Sequence, residues 1–166
     1  NYDTLLVYPP FNRVSNINKG INQFNKGNYK SAEACLNTIK DSKRIVPYFD
    51  IPIQHSEDKI LELMNRRGNK EYLRNLFNKI RNKCPNAVLR TTVMVGFPGE
   101  TEEDFNGLTK FIEEIKFDHL GCFTYSREEN TASFNFPNQI DEEIKKKREK
   151  FDYNKMIEKK QTKYER

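Results

Sequence analysis

The sequence predicts an α/β fold in which parallel strands are joined by crossover helices. Two observations support this class. First, short apolar runs rich in β-branched residues alternate with segments whose apolar residues recur at helical spacing. Second, the segments between successive strands are long enough for the crossovers that parallel neighbours require. The chain of 166 residues is long enough for one domain with a sizeable core.

The clearest strand–turn–helix unit begins at Leu89. Residues Leu89–Val95 are mostly apolar or β-branched and predict a buried strand, and the Gly-Phe-Pro-Gly run that follows predicts a tight turn. Thr101 and Asp104 have the spacing of a capping box, and acidic residues suit the positive end of a helix dipole. Such units often present a ligand site at the carboxyl ends of strands, although the glycines can also serve only to reverse the chain.

The other elements follow from the same periodicities. Two segments depart from the pattern. Phe11–Arg44 is dense in asparagine and lysine, and it predicts an atypical helical insert that is similar to a single tetratricopeptide-type hairpin. Residues 140–166 predict a charged C-terminal helix. Residues 1–139 are expected to form the α/β domain. The remaining predicted strands are Asp3–Tyr8, Ile45–Ile53 and Phe117–Tyr125, and the remaining predicted helices are Ser56–Met64 and Asn69–Cys84.

Composition narrows the class of protein. The net charge of +5 is modest and spread along the chain, so it is a weak argument for nucleic acid binding. No run of 18 apolar residues is present, so no membrane span is predicted. Cys35, Cys84 and Cys122 are far apart and odd in number, which predicts reduced thiols that pack in the core of a cytoplasmic protein.

Separated motifs support a more specific expectation. They are PYFDIPIQHS at Pro47–Ser56, MNRRG at Met64–Gly68, the unit that begins LRTTVMVGFPGE at Leu89, and GCFTYSREENTA at Gly121–Ala132. Over roughly Val46 to Gln161 the chain resembles the radical S-adenosylmethionine methylthiotransferases of the RimO type. The resemblance implies a partial (β/α) TIM-like barrel, a transferase that modifies an aspartate of a small-subunit ribosomal protein, and S-adenosylmethionine and [4Fe-4S] clusters as cofactors.

The resemblance also implies which residues bind S-adenosylmethionine. Four of these residues also have a structural interpretation. His55 can be a hydrogen-bonded core histidine, and Tyr125 can be a core aromatic. Arg90 can pair with Asp50, and the charge of Glu100 can interact favourably with a helix dipole. The family's C-x-x-x-C-x-x-C triplet does not occur, so no catalytic residue or metal ligand is predicted and the chain alone is expected to be inactive. The predicted cofactor-binding residues are Gln54, His55, Arg90, Gly96, Gly99, Glu100, Tyr125 and Ser126.

Two alternatives stay open. A tRNA methylthiotransferase of the MiaB type is disfavoured because that type carries Gln-Ser-Gly-Ser where this chain has Gln54, His55 and Ser56. A non-enzymatic module would instead use the Phe11–Arg44 insert or the basic C-terminal helix, which carries the Lys145–Arg148 run, to bind protein or RNA. An incomplete barrel also leaves open strand edges, which predicts self-association unless helices such as the insert cover them.

Overall fold

The computed structural model describes residues 36, 37, 39–41 and 46–150. The predicted strand Asp3–Tyr8, the rest of the helical insert and residues 151–166 lie outside the described residues. The chain divides into two compact units, one formed by Asn1–Phe49 with Leu76–Val88 and the other by Asp50–Asn75 with Leu89–Arg166.

In the first unit, the described residues include a helical segment and the second half of a longer helix. Residues 36, 37 and 39–41 are helical, with Leu36 and Ile39 buried, as the apolar spacing predicts. The Cys84 thiol is also buried and lies 3.8 Å from the carbonyl oxygen of Leu36. Burial raises the pKa of the Cys84 thiol, which is consistent with the predicted packing role for this residue.

Three strands form one sheet in the order β1–β2–β3, with β1 at Tyr48–Asp50, β2 at Val88–Val95 and β3 at His119–Thr124. β2 and β3 are parallel, as predicted. After β1 the chain continues alongside β2, where Gln54 makes a parallel bridge with Val93. The predicted strand Ile45–Ile53 is therefore shorter than expected, because its prolines have no N–H group to donate to a ladder.

The side chains of β2 alternate between two environments. Leu89, Thr91, Val93 and Val95 are fully buried, whereas the residues between them are exposed or half-buried. The Thr91 hydroxyl donates to the carbonyl oxygen of Ile51 at 2.7 Å, which links the two neighbouring chain segments inside the core. The predicted buried strand is thus buried on one face, while its other face is partly open.

The described helices are α1 at Asp58–Leu63, α2 at Lys70–Lys83 and α3 at Glu102–Ile115. α1 begins after Glu57 rather than at Ser56, because Ser56 is buried and its hydroxyl donates to the Glu57 carboxylate instead of capping the helix. α3 confirms the predicted capping box. The Thr101 hydroxyl accepts from the Asp104 N–H, and the Asp104 carboxylate accepts from the Thr101 N–H.

The described chain ends with a 3₁₀ helix at Ala132–Asn135 and a helical segment at 142–150. The second segment confirms the start of the predicted C-terminal helix. No helix within the described ranges is both long and apolar enough to cross a membrane. The parallel α/β class is thus confirmed, and closure into a barrel stays a prediction.

Candidate functional site

A cleft of about 270 Å³ lies at the carboxyl ends of the strands. Its position agrees with the general location of ligand sites in parallel α/β proteins, and its size approaches that of pockets for small ligands, about 300–1,000 Å³. We call it the strand-end cleft. Its lining residues are Gln54, Leu63, Met64, Asn65, Arg66, Met94, Phe97, Ala132, Ser133 and Phe136.

Gln54 is held at the cleft by its backbone. Its N–H donates to the Thr92 carbonyl and its own carbonyl accepts from the Met94 N–H, at 2.9 and 2.8 Å. The residue has a φ of 69°, a left-handed conformation that non-glycine residues rarely adopt. Among residues 46–150 its side-chain amide makes no hydrogen bond. The backbone of Gln54 is therefore fixed at the cleft, and the donors and acceptor of its side-chain amide are available to a ligand.

Aromatic side chains form one wall of the cleft. The Phe97 ring makes edge contacts with Phe136 and with Tyr125, at centroid distances of 6.1 and 5.1 Å. Tyr125 is only 5% exposed and does not line the cleft, but its hydroxyl donates to Ser133, which does. The sequence analysis missed Phe97, Ser133 and Phe136. Phe97 lies between the two glycines of the predicted turn, which could have indicated its place at the cleft. No local pattern indicated that Ser133 and Phe136 line the cleft.

The two glycines of the turn after β2 occupy different surroundings. A Cβ atom on Gly96 would lie 2.3 Å from Cγ of Lys145, so the space above this glycine is filled by a side chain of the protein. A Cβ atom on Gly99 would meet only Leu63, at an ordinary contact distance of 3.5 Å. Leu63 lines the cleft, so Gly99 lies beside a lining residue without lining the cleft itself.

His55 and Glu100 lie together, but inside the protein. The carboxylate of Glu100 accepts from the Gly96 N–H at 2.9 Å and from Nη1 of Arg148 at 2.6 Å. Nε2 of His55 lies 3.6 Å from the same carboxylate. Nη2 of Arg148 also pairs with Glu102 at 3.1 Å. We call His55, Glu100 and Arg148 the buried ionic cluster, since each is at least nine-tenths buried.

The tautomer of His55 follows from its contacts. Its Nδ1 accepts from the Glu57 N–H at 3.1 Å, so in the neutral ring the proton is on Nε2 and is directed towards Glu100. His55 is completely buried, and its Nε2 has no hydrogen-bond partner within the described part of the chain. The ring lies between Glu57 and Glu100, and it does not line the cleft.

Two predicted binding residues lie away from the cleft. Arg90 pairs with Asp50 at 3.7 Å, and both side chains are about half exposed, which corresponds to the structural alternative considered for it. Ser126 is exposed, and its hydroxyl donates to the Glu128 carboxylate at 2.6 Å. Gln54, Gly99 and Tyr125, in contrast, all lie in or beside one cleft.

No group of three or more histidine, cysteine, aspartate or glutamate side chains suited to a metal ion occurs within the residues that the structure describes. The chemistry of the cleft suits an organic ligand instead. Its aromatic and aliphatic walls can pack against a flat ring, and the Gln54 amide can bond to polar edges or hydroxyl groups. These residues fit the nucleoside part of S-adenosylmethionine.

Residues 24–112 match the radical SAM superfamily, a family named for S-adenosylmethionine. The chain belongs to that superfamily. The match covers more than half of the 166 residues, and it includes β1, α1, α2, β2 and most of α3. Membership implies S-adenosylmethionine and a [4Fe-4S] cluster as cofactors of the family.

Curated relatives agree with the more specific resemblance. The chain is 55% identical over 113 residues to the ribosomal protein uS12 methylthiotransferase RimO of Clostridioides difficile (strain 630), covering 68% of this chain and 26% of that protein. It is 49% identical over 117 residues to the RimO protein of Thermotoga sp. (strain RQ2), covering 70% and 27%. A third RimO protein, from Pelobacter propionicus (strain DSM 2379 / NBRC 103807 / OttBd1), is 46% identical over 117 residues, covering 70% and 26%.

These findings confirm the resemblance to the RimO type that the motifs predicted. The chain spans about a quarter of the length of the curated relatives that it matches. The activity, substrate and partners of the whole relatives are therefore a matter for proposal.

Proposed function

We propose that this chain is part of a methylthiotransferase that adds a methylthio group to an aspartate of ribosomal protein uS12, and that it forms the nucleoside-binding side of the S-adenosylmethionine site. The strand-end cleft is the observation that carries the proposal. It combines apolar walls with an amide fixed at a strand end, at the position where parallel α/β proteins bind ligands. Relatives that are 49–55% identical to this chain are named ribosomal protein uS12 methylthiotransferases.

Each part of the cleft has a defined task in this proposal. The Gln54 amide bonds to ribose hydroxyls or to the edge of the base, and Phe97 and Phe136 pack against the flat ring. Gly99 keeps side-chain atoms away from the approach to the cleft. The buried ionic cluster and Tyr125 act on the ligand only through these lining residues.

The bound cofactors supply the radical chemistry by which enzymes of this type activate an unreactive carbon, and the described side chains bind and orient the ligand. Because Cys35, Cys84 and Cys122 are widely separated, we expect the 166 residues alone to hold no stable cluster and to transfer no methylthio group. Reconstitution with iron and sulfide, followed by absorbance spectroscopy, tests this expectation. A cluster absorbance that disappears when these cysteines are replaced would contradict it.

Binding of S-adenosylhomocysteine to the chain, measured by calorimetry, tests the proposed function. We expect micromolar affinity, a loss of about tenfold in Gln54→Ala because a hydrogen-bonding group is removed, and no detectable binding in Gly99→Val because a side chain enters the approach. Ser126→Ala is the matched control, since this polar side chain also follows a strand but lies outside the cleft. Absence of nucleoside binding in the wild-type chain contradicts the proposal.

Within residues 142–150 the structure gives little support to the RNA-binding alternative, while the rest of the predicted C-terminal helix lies outside the described residues. Of the basic run Lys145–Arg148, Lys145 and Arg148 are buried and form internal contacts, so only Lys146 and Lys147 are exposed. A phosphate-binding surface needs several exposed cations, and its affinity falls steeply with salt. RNA binding with a steep salt slope and without nucleoside affinity would restore this alternative.

A further inference from the structure

The segment Asn130–Asn138, which we call the strap, forms one wall of the strand-end cleft. It contains the 3₁₀ helix and supplies Ala132, Ser133 and Phe136 to the lining. Most of the other lining residues lie on or next to α1 and β2, which also place side chains in the core. In contrast, residues 126–144 are all described, and none of their side chains is buried. The strap therefore lines the cleft without being part of the core.

The backbone is left-handed at both ends of the strap. The φ angle is 66° at Asn130 and 60° at Asn138. Asparagine is one of the few residues that adopt this conformation readily. Hinges of mobile segments are a few loop positions that absorb large changes in φ and ψ. The two asparagines are therefore suited to be the positions about which the strap turns.

The strap is attached to the neighbouring segments mainly by side chains. Among the described residues, its backbone hydrogen bond to another segment lies at its far end, where the Gly99 N–H donates to the Asn138 carbonyl at 3.0 Å. Its middle is held by the Tyr125 hydroxyl, which donates to the Ser133 hydroxyl at 3.0 Å. Because Tyr125 is buried at the end of β3, this hydrogen bond fastens the strap to the core. We call it the latch.

The other hydrogen bonds to the middle of the strap come from residues next to it in sequence. Nε of the exposed Arg127 donates to the Phe134 carbonyl at 2.8 Å, and the Gln139 amide donates to the Phe136 carbonyl at 3.0 Å. Hydrogen bonds that compete with water add little net stability. Segments with few buried contacts open locally at a low cost in free energy. The latch is therefore the contact whose loss should change the position of the strap most.

The size of the cleft also favours a wall that moves. Its volume of about 270 Å³ is below the usual range of pockets for small ligands, about 300–1,000 Å³. A strap that turns outward gives a ligand room to enter, and a strap that turns back covers the ligand with Phe136. Closure of this kind shields a bound ligand from water.

We propose that the strap is a lid of the strand-end cleft: it turns about Asn130 and Asn138 to admit the ligand, and the latch between Tyr125 and Ser133 holds it closed. The identity of the ligand rests on the proposed function. The motion itself is a property of the free chain and can be measured without a ligand.

NMR relaxation dispersion of the backbone amides in the ligand-free, 166-residue chain measures the opening. We expect exchange between two states in microseconds to milliseconds at the strap and none within α3. Tyr125→Phe removes the latch but keeps the buried ring, so the open population should rise about three- to tenfold. Tyr72→Phe removes a hydroxyl from α2, outside the cleft, and should match wild type. Thermal unfolding confirms that each variant is folded.

Ser133→Ala breaks the latch from its other side. It should raise the open population as much as Tyr125→Phe does, and the double variant should show no further rise. Both substitutions remove the same hydrogen bond, so their effects are not additive.

Surface plasmon resonance with S-adenosylhomocysteine gives a second measurement. The latch is closed in both the free and the bound chain, so its loss favours opening equally in both. Tyr125→Phe should therefore raise the association and dissociation rate constants together, about three- to tenfold, and leave Kd unchanged. A fixed wall predicts a different result, in which only dissociation becomes faster and binding is weaker.

Three results overturn the inference. The first is the absence of exchange at the strap in wild type and in both latch variants. The second is exchange that neither variant changes, and the third is a loss of affinity in Tyr125→Phe that is due to dissociation alone. Wild type that binds no nucleoside contradicts the proposed function, whereas relaxation dispersion on the free chain still decides whether the strap opens.

Discussion

Gln54 and His55 are neighbours in sequence, yet they belong to two regions with opposite character. Gln54 lines the strand-end cleft with an amide that bonds to nothing within the described residues, whereas His55 is completely buried in the ionic cluster with Glu100 and Arg148. Gln54 has a left-handed φ of 69°, so this separation does not follow from the regular alternation of a strand. A single motif therefore supplies one residue to the cleft and the next to the protein interior.

The regions differ in how far their carboxylate, guanidinium and amide groups are already paired, although Nε2 of His55 and Nε of Arg148 have no hydrogen-bond partner among the described residues. In the buried ionic cluster, Glu100 accepts from Gly96 and Arg148, and the neighbouring Lys145 donates to the Tyr125 carbonyl at 3.1 Å. In the cleft, the polar groups of Gln54 and Arg66 have capacity to spare. We infer that substitutions in the cluster act mainly on stability, and that substitutions in the cleft act mainly on binding.

Arg148→Met has the largest expected effect. It keeps an apolar stem but leaves the Glu100 carboxylate buried without its cation, which typically costs about 3–5 kcal/mol in the free energy of unfolding. Urea unfolding measures the change, and Lys147→Met, on the exposed side of the same helical segment, should cost less than about 0.5 kcal/mol. Below its unfolding transition, the Arg148→Met variant should bind S-adenosylhomocysteine within about threefold of wild type.

A cost below about 1 kcal/mol for Arg148→Met would show that the cluster is accessible to water, and the comparison would then fail. The double variant with Glu100→Gln provides a second check. Neutralising the carboxylate should recover part of the lost stability, because an unpaired buried charge is replaced by a neutral amide.

Gly96→Ala and Gly99→Ala compare the two regions within one turn. Both glycines have a positive φ, 75° and 85°, so each substitution strains the backbone by about 1–2 kcal/mol. At Gly96 the new methyl group also meets Lys145 at 2.3 Å, which should add about 1–3 kcal/mol. Thermal unfolding of the two variants isolates this difference, and equal losses would mean that Lys145 moves aside without cost.

Much of the fold was predictable because its signals are local. The apolar and β-branched run at Leu89–Val95 corresponds to a strand at Val88–Val95, and the Thr101–Asp104 spacing corresponds to an observed capping box. Both depend on residues close in sequence. The entry to α1 was misjudged because Ser56 turned inward, and that depends on tertiary packing rather than on the identity of the residue.

The site was predictable only in part. The carboxyl ends of the strands and the adjacent motifs correctly indicated where a cleft forms. The burial of Glu100 could not be foreseen, because its partner Arg148 lies 48 residues further along the chain in a run that resembles an exposed basic patch. Phe136 was missed for a similar reason: it reaches the cleft through contact with Phe97, and no spacing within its own segment indicates that contact.

Asp104→Asn has the smallest expected effect and tests the exposed end of the same turn. Burial alone would raise the pKa of Asp104, but hydrogen bonds from the Thr101 N–H and hydroxyl and from Lys59 together lower it below its usual value. A carboxylate with a lowered pKa contributes stability above its unfolded pKa of about 3.9, and that contribution is lost as the pH falls through the folded value. Because Lys59 is largely exposed, we expect Asp104→Asn to lower the free energy of unfolding by only about 0.5–1 kcal/mol at pH 7.

Urea unfolding midpoints, measured from neutral to acidic pH, test this expectation. The midpoints of wild type and Asp104→Asn should converge as the pH falls below about 3.9. The control Glu103→Gln, in the same helical turn, should follow wild type throughout. If the difference in urea midpoint between wild type and Asp104→Asn stays constant with pH, the cap stabilises the helix without its charge. The exposed charge would then contribute nothing to the stability of this end of the turn.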